Sequence, residues 1–146
     1  MGVPLTEPAG NVVVTAHLKK VGGPSGGGFG IVVRDQAPPS THDGRNQEGR
    51  FILLEVGDKG DVGIWQRDGT RWTDILPWTH APAVNLENGW NELVVTTIGA
   101  EMRFDVNGAR AADVSYNGIP ARGGIGIFAG GDLNHIVLDW LRIDAR

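Results

Sequence analysis

Apolar and polar residues alternate strictly along EMRFDV, residues 101–106, where every second side chain is apolar. A period of two is typical of a β-strand that buries one face and exposes the other to water. Asn107 and Gly108 follow directly, and this dipeptide favours a type I′ turn because both residues tolerate a positive φ. The stretch therefore predicts a strand of a hairpin whose apolar side chains enter a core.

Short runs of β-branched and aromatic residues recur along the rest of the chain, separated by glycine, proline and polar residues. No long segment has the apolar spacing of three and four that indicates an amphipathic helix. Short strands with a turn about every 8 to 12 residues are typical of a sandwich or a barrel. The predicted strands are residues 11–21, 29–35, 50–56, 62–68, 71–76, 90–98, 101–106, 109–115, 123–130 and 136–143.

Three further features of the pattern concern segments around these strands. Residues 77–85 contain Pro77 and Pro82, which lack the amide donor that a central strand needs, so we expect a connector there. Residues 36–49 form a long polar loop, and such loops in compact domains are usually functional or disordered. Trp90, at the start of its strand, is expected to be a core or edge anchor of the hairpin.

Composition supports one all-β domain. A chain of 146 residues suits a single core, which we assign to residues 11–146 after a lead-in at 1–10. The 23 glycines and 8 prolines agree with many tight turns. A net charge of −4 without a basic cluster argues against a nucleic-acid partner. No apolar run reaches the ~20 residues of a membrane span, so we expect no membrane insertion, and the N-terminus lacks a signal-peptide pattern.

The sequence contains no recognisable catalytic constellation, so no catalytic residue is nominated. The absence of cysteine excludes disulfides, thiolate nucleophiles and cysteine-based zinc sites. The letters of Gly-x-Ser-x-Gly occur once, at residues 23–27, but in a glycine-rich loop with no predicted helix after it, so they do not indicate a nucleophile elbow. There is also no run of alternating carboxylates of the kind that places an acid and a nucleophile about 5 Å apart. A laminarinase-like activity is therefore disfavoured.

Four stretches, GFGIVVRD, GIWQRDGTRWTDILPWTHAPAV, GWNELVVTTIGAEMRFDVNG and GGIGIFAG, together resemble concanavalin A-like, laminin G-like jelly-roll domains of bacterial extracellular proteins. Within that group the chain is similar to keto-disaccharide hydrolase-like domains and to fructan-binding carbohydrate modules. The resemblance covers nearly the whole chain after Asn11. It implies an antiparallel β-sandwich of jelly-roll type and an extracellular or cell-surface location.

Tryptophans on consecutive predicted strands indicate a saccharide site. The apolar face of a sugar stacks on an indole, while its hydroxyls need charged or amide partners nearby. The resemblance to fructan-binding modules adds an arginine at the end of one strand and an acidic residue on the next. The predicted ligand-binding residues are Arg34, Asp35, Glu55, Trp65, Arg67 and Trp78, with Trp72 and Gln66 close to them in the sequence.

Calcium is the one cofactor that the resemblance allows, because laminin G-like domains often bind it through carboxylates and backbone carbonyls. The turns GDKGD and GGDLN could supply such oxygens, which makes Asp58, Asp61 and Asp132 the candidate ligands. Acidic turn residues are common without any ion. No other cofactor is expected.

Three functions remain open at the level of sequence. The leading hypothesis is a non-catalytic carbohydrate-binding or adhesion module of a larger extracellular protein, with a saccharide or glycan surface as partner. The alternatives are a hydrolase of the keto-disaccharide hydrolase-like type and a structural or interaction domain without a small ligand. In the last case Trp72 and Trp78 pack the connector onto the sheet, and Arg34 and Glu55 form a cross-strand ion pair. The identity of the saccharide, the oligomeric state and the parent protein are left open.

Overall fold

In a computed structural model, the chain forms two antiparallel β-sheets that pack face to face. The residues that the structure describes are 2–4, 11–22, 28–36, 49–57, 59–86, 89–130 and 135–145. The strands are β1 (Gly2–Pro4), β2 (Val12–Gly22), β3 (Gly28–Asp35), β4 (Arg50–Gly57), β5 (Asp61–Asp68), β6 (Arg71–His80), β7 (Asn91–Ile98), β8 (Glu101–Val106), β9 (Ala109–Ser115), β10 (Gly124–Ala129) and β11 (His135–Ala145).

One sheet has six strands in the order β1-β10-β3-β4-β5-β6, and the other has five in the order β11-β2-β7-β8-β9. Among the described strands the chain therefore changes sheet after β1, β2, β6, β9 and β10, which is the crossing pattern of a jelly roll rather than of a simple meander. The described residues form no helix, and therefore no helix that could cross a membrane. The predicted all-β jelly-roll sandwich is confirmed.

The core lies between the two sheets and is built by alternation along each strand. In β2 the even-numbered residues from Val12 to Leu18 are buried, while the residues between them are only partly covered. In β8 the same alternation buries Met102 and Phe104 completely. The hairpin predicted from the period of two is confirmed, because these apolar side chains all join one core cluster.

The turn after β8 has the predicted type I′ character, with φ values of 53° at Asn107 and 85° at Gly108. The Asn107 side chain also has a tertiary role that the dipeptide did not predict. Its Nδ2 donates to the carbonyl of Ala83 at 2.7 Å and to Oδ1 of Asn91 at 2.8 Å, and its Oδ1 accepts from the amide of Glu92 at 2.8 Å. The turn is thereby tied to the segment between β6 and β7.

The connector was predicted to begin at Pro77. This start is wrong, because β6 continues through Pro77 to His80. The strand tolerates proline since it lies at the edge of the sheet and is irregular there. Ile64 pairs with Leu76 but Val62 pairs with Thr79, so the register shifts around Pro77. The exclusion of this segment from a central strand is confirmed.

Two other segments differ from the expectation or lie beyond it. Residues Gly2–Pro4, part of the predicted lead-in, form a short strand that pairs with β10 at one edge of the six-stranded sheet. Three residues carry no periodicity, so the sequence offered no signal for this strand. Of the long loop at 36–49, only the two end residues belong to the described part of the chain.

Candidate functional site

The six-stranded sheet has a second, outward face, which we call the outer platform face. Along β4, Ile52 and Leu54 point into the core between the sheets, whereas Phe51, Leu53 and Glu55 alternate to the opposite side. Phe51 and Leu53 join Val32 and Phe128, of β3 and β10, in a small buried cluster separate from the main core. The outer platform face therefore carries its own buried apolar cluster, unlike a sheet face that is covered only by water.

Trp65 and Trp78 meet on the outer platform face. Their ring centroids are 4.7 Å apart and the planes are inclined by 65°, an edge-to-face arrangement. Trp65 is half-buried, and Trp78 is 46% exposed although it is a large aromatic side chain. We call this pair the indole platform.

Two glycines allow the indole platform to lie against the sheet. A β-carbon on Gly63 would stand 1.8 Å from Cη2 of Trp65, so only glycine leaves room for that ring. A β-carbon on Gly57 would stand 3.2 Å from Cζ3 of Trp78, which is also a tight contact. Gly63 lies inside β5, where an isolated glycine signals a close approach of another group, so the sequence did contain a cue for this contact.

Glu55 lies beside the indole platform, and its neighbours on both adjacent strands are glycines. It pairs with Gly30 on β3 and with Gly63 on β5, so neither neighbouring strand places a side chain next to it. A β-carbon on Gly28 would stand 2.5 Å from Oε2 of Glu55. The residue is only 8% exposed, and burial raises the pKa of its carboxyl from its ordinary value of 4.5 to about 7.

Exposed polar groups border the indole platform on two sides. Asp74 stands directly across from Trp65 in the pairing of β5 with β6. Asp61 and His80 face each other at the end of the same two strands, with Oδ1 of Asp61 3.7 Å from Nδ1 of His80. His80 was not predicted as a site residue because a single histidine in a proline-rich segment carries no pattern.

A second aromatic contact lies further along the same strands. The Arg67 guanidinium stacks over the ring of Trp72 at 4.8 Å, and Phe51 packs edge-on against Trp72 at 5.9 Å. Trp72 is 38% exposed, so the packing does not cover it. Six residues of strand separate Trp72 from Trp78, a distance of about 20 Å along β6. The fold thus brings four of the residues considered from the sequence onto one face, as expected for a shared site: Trp65, Arg67, Trp72 and Trp78.

Arg34 lies apart from this face. It has a φ of 55°, is almost fully buried, and donates from its guanidinium to the backbone carbonyl of Gly99 in the turn between β7 and β8. Burial lowers its pKa. Glu55 pairs with Gly30, four residues or about 13 Å from Arg34 along β3, so the hypothesis of an Arg34–Glu55 ion pair is wrong. Arg34 instead joins the two sheets at one end of the sandwich.

The remaining predicted residues have separate positions. Asp35 pairs with Gly124 at the end of β3 that is remote from Glu55. Of the calcium candidates, Asp58 and Asp132 lie outside the described residues, and Asp61 stands beside His80. Within the described ranges, histidine, aspartate and glutamate side chains form no group of three that could hold a metal ion. Calcium binding stays a prediction.

Trp90 does not lie on the outer platform face. It is half-buried, outside the core cluster, and stacks on His17 of β2 with ring centroids 4.6 Å apart. His17 alternates with buried residues of β2, so this contact lies on the outward face of the five-stranded sheet. The five tryptophans are therefore divided between the two outward faces.

No model of a protein family and no curated protein sequence matches the chain. Solved structures do match it. The carbohydrate-binding module CBM66 from Bacillus subtilis superposes with a TM-score of 0.75 at 12% identity, over 96% of this chain and 78% of that one. The galectin LEC-6 from Caenorhabditis elegans gives 0.63 at 18%, over 99% and 89%.

A third similar structure is a protein from Parabacteroides distasonis described as a putative glycosyl hydrolase, with a TM-score of 0.64 at 14% identity, over 96% of this chain and 80% of that one. At these identities the similarity establishes the fold. The resemblance to concanavalin A-like jelly-roll domains is confirmed at that level.

Proposed function

We propose that this chain is a carbohydrate-binding module that holds a saccharide on the outer platform face. One observation carries the proposal: two indoles lie against the sheet on glycines, and Trp78 nevertheless keeps 46% of its surface exposed. Folding alone would favour covering such a ring, because burying an aromatic side chain is worth roughly 1.5–3 kcal/mol. An exposed ring held in a defined orientation is what stacking against a sugar requires.

The polar groups around the indole platform suit the hydroxyls at the edge of a sugar ring. Asp74 and the Asp61–His80 pair can accept and donate hydrogen bonds to hydroxyls at the edge of a stacked ring. The distance of about 20 Å between Trp78 and Trp72 favours an extended oligosaccharide over a single sugar, because both exposed indoles lie on one edge strand.

The structural neighbours support the same function. One is a carbohydrate-binding module and others are galectins, and they match this chain over nearly its whole length. We extend the proposal to a module of a larger extracellular or cell-surface protein, which is the setting that the sequence resemblance implies. Fractionation of cells that express the full-length parent protein, followed by immunodetection of this domain, tests the location.

Indole nitrogens offer a direct assay of binding. The chain has five tryptophans, so a protein labelled with ¹⁵N gives five indole signals that single Trp substitutions assign. Cellohexaose, xylohexaose, maltohexaose and an inulin-type fructan oligosaccharide serve as neutral probes. We expect at least one probe to shift the Trp65 and Trp78 signals saturably, with the Trp72 signal following for the longer chains.

Trp78→Ala should lower the affinity for that probe at least tenfold while the fold is kept. Ile98→Ala is the matched control, because Ile98 has the same 46% exposure but lies on the other sheet. If no probe moves the Trp65 and Trp78 signals, or if both variants lose affinity equally, the outer platform face is not a saccharide site. Analysis of the same mixtures for shortened oligosaccharides tests the alternative of a hydrolase.

A further inference from the structure

The outward face of the five-stranded sheet carries a second group of aromatic and charged side chains. We call it the His17 cluster, and it consists of His17, Lys19, Trp90, Asp139 and Trp140. The His17 ring stacks on Trp90 at 4.6 Å with planes inclined by 19°, and it lies 6.0 Å from the ring of Trp140. The Lys19 ammonium stands 4.7 Å above the Trp90 ring. This cluster shares no residue with the outer platform face.

A β-bulge assembles the cluster. Neighbouring residues of a regular strand point to opposite faces, yet Asp139 and Trp140 both approach the same imidazole. Oδ2 of Asp139 is 3.1 Å from Nδ1 of His17, and the indole of Trp140 lies near the same ring. The pairing of β11 with β2 shifts register between Leu138 and Trp140, which turns both side chains to one side. Bulges of this kind commonly re-aim side chains at binding sites.

The cluster remains open to solvent where a ligand would approach. Trp140 is 42% exposed and the Asp139 side chain is 54% exposed, whereas Trp90, which stacks on His17, is half-buried. Asp139 and Trp140 lie outside the main core cluster, whereas Ile136 before the bulge and Leu141 after it both pack against that core. The arrangement presents one accessible indole, one accessible carboxylate and, about two residues along β2, an ammonium group.

We propose that the His17 cluster is a second ligand site, on the face opposite the indole platform, and that it takes a neutral sugar. The apolar face of the sugar stacks on Trp140, and Asp139 accepts hydrogen bonds from its hydroxyls. A cationic ligand is disfavoured, because Lys19 already stands over the Trp90 ring and would repel a second positive charge. An acidic sugar is disfavoured by the Asp139 carboxylate.

The test uses the Trp78→Ala variant, so that the indole platform no longer contributes. The same four neutral oligosaccharides are titrated while the indole signals of Trp140 and Trp90 are followed. We expect a saturable shift of both signals with at least one probe. A further Trp140→Ala substitution should abolish the Trp90 shift, and Asp139→Asn should weaken binding at least tenfold.

Ile98→Ala is the matched control, since Ile98 lies in the same sheet and is 46% exposed, but stands six residues along β7 from the position that pairs with His17. Three results would overturn the proposal: no saturable shift of Trp140 with any of the four probes, an equal loss in the Ile98→Ala control, or a stronger response to tetramethylammonium than to every sugar. The outcome is independent of the outer platform face, because Trp65 and Trp78 report on that face separately in the unsubstituted protein.

Discussion

Replacing Glu55 by glutamine should change how the stability of this protein depends on pH. Burial raises the pKa of the Glu55 carboxyl from 4.5 to about 7 in the folded chain, whereas the unfolded chain exposes it to water. Each tenfold change in proton affinity is worth about 1.4 kcal/mol, so the full difference corresponds to about 3 kcal/mol. Because the residue is only 8% exposed, screening by solvent reduces this value little.

The sign of the pH dependence follows from whether the folded or the unfolded chain holds the Glu55 proton more tightly. Below pH 4.5 the carboxyl is protonated in both states and its burial costs little. Between pH 4.5 and about 7 the unfolded chain loses the proton while the folded chain keeps it, so the free energy of unfolding falls as the pH rises. Above pH 7 both states are ionised and the loss remains constant.

Urea unfolding of the wild-type protein and of Glu55→Gln, measured from pH 4 to pH 8.5, tests this reasoning. The difference between the two free energies of unfolding should move by about 3 kcal/mol in favour of the glutamine variant across the window from pH 4.5 to about 7. Glu101→Gln, at an exposed position, should change the curve by less than about 1 kcal/mol. Parallel curves for wild type and Glu55→Gln would show that the carboxyl is not held in its neutral form.

Three other substitutions follow from the packing. Gly63→Ala should displace the Trp65 ring, change the near-ultraviolet circular dichroism and abolish saccharide-induced shifts at a stability cost of about 1–3 kcal/mol; an unchanged spectrum would contradict the close contact. Arg34→Ala should lower the free energy of unfolding by about 1.5–3 kcal/mol through the lost bond to Gly99, without changing saccharide affinity, and a stable variant that fails to bind would return Arg34 to the ligand site. Trp90→Ala should cost only about 1–2 kcal/mol in thermal or urea melts because the ring is half-buried, and a loss above about 3 kcal/mol would mark it as a core anchor.

Regular features of the chain followed from the sequence because their causes are local. Alternation along residues 101–106 indicated which side chains of β8 enter the core, since a strand has a period of two whatever its neighbours are. Asn107-Gly108 indicated a type I′ turn because the two residues tolerate positive φ by themselves. The order and length of the runs, together with the resemblance they carry, indicated a jelly roll.

Grouping of the candidate site residues was correct only in part, and strand pairing explains the difference. Trp65 and Trp78 were expected on one surface, but their contact depends on an irregular register between β5 and β6 that no periodicity reveals. Arg34 was expected in the ligand site, at the end of a strand. Its backbone has a positive φ, and its guanidinium donates to the carbonyl of Gly99, 65 residues away between two strands of the other sheet. Arg34 is therefore buried and connects the two sheets.

The sequence by itself determined which residues can form strands, where the chain turns and which side of most strands is apolar, because these properties depend on a few neighbouring residues. Tertiary structure alone decided which outward side chains share a face, that Glu55 is buried between Gly30 and Gly63, and that Asp139 and Trp140 meet at His17. The physical reason is that strand order and bulges are set by packing between segments far apart in the chain. A single shift of register moves a side chain to the other face of the sheet, and no local pattern records that shift.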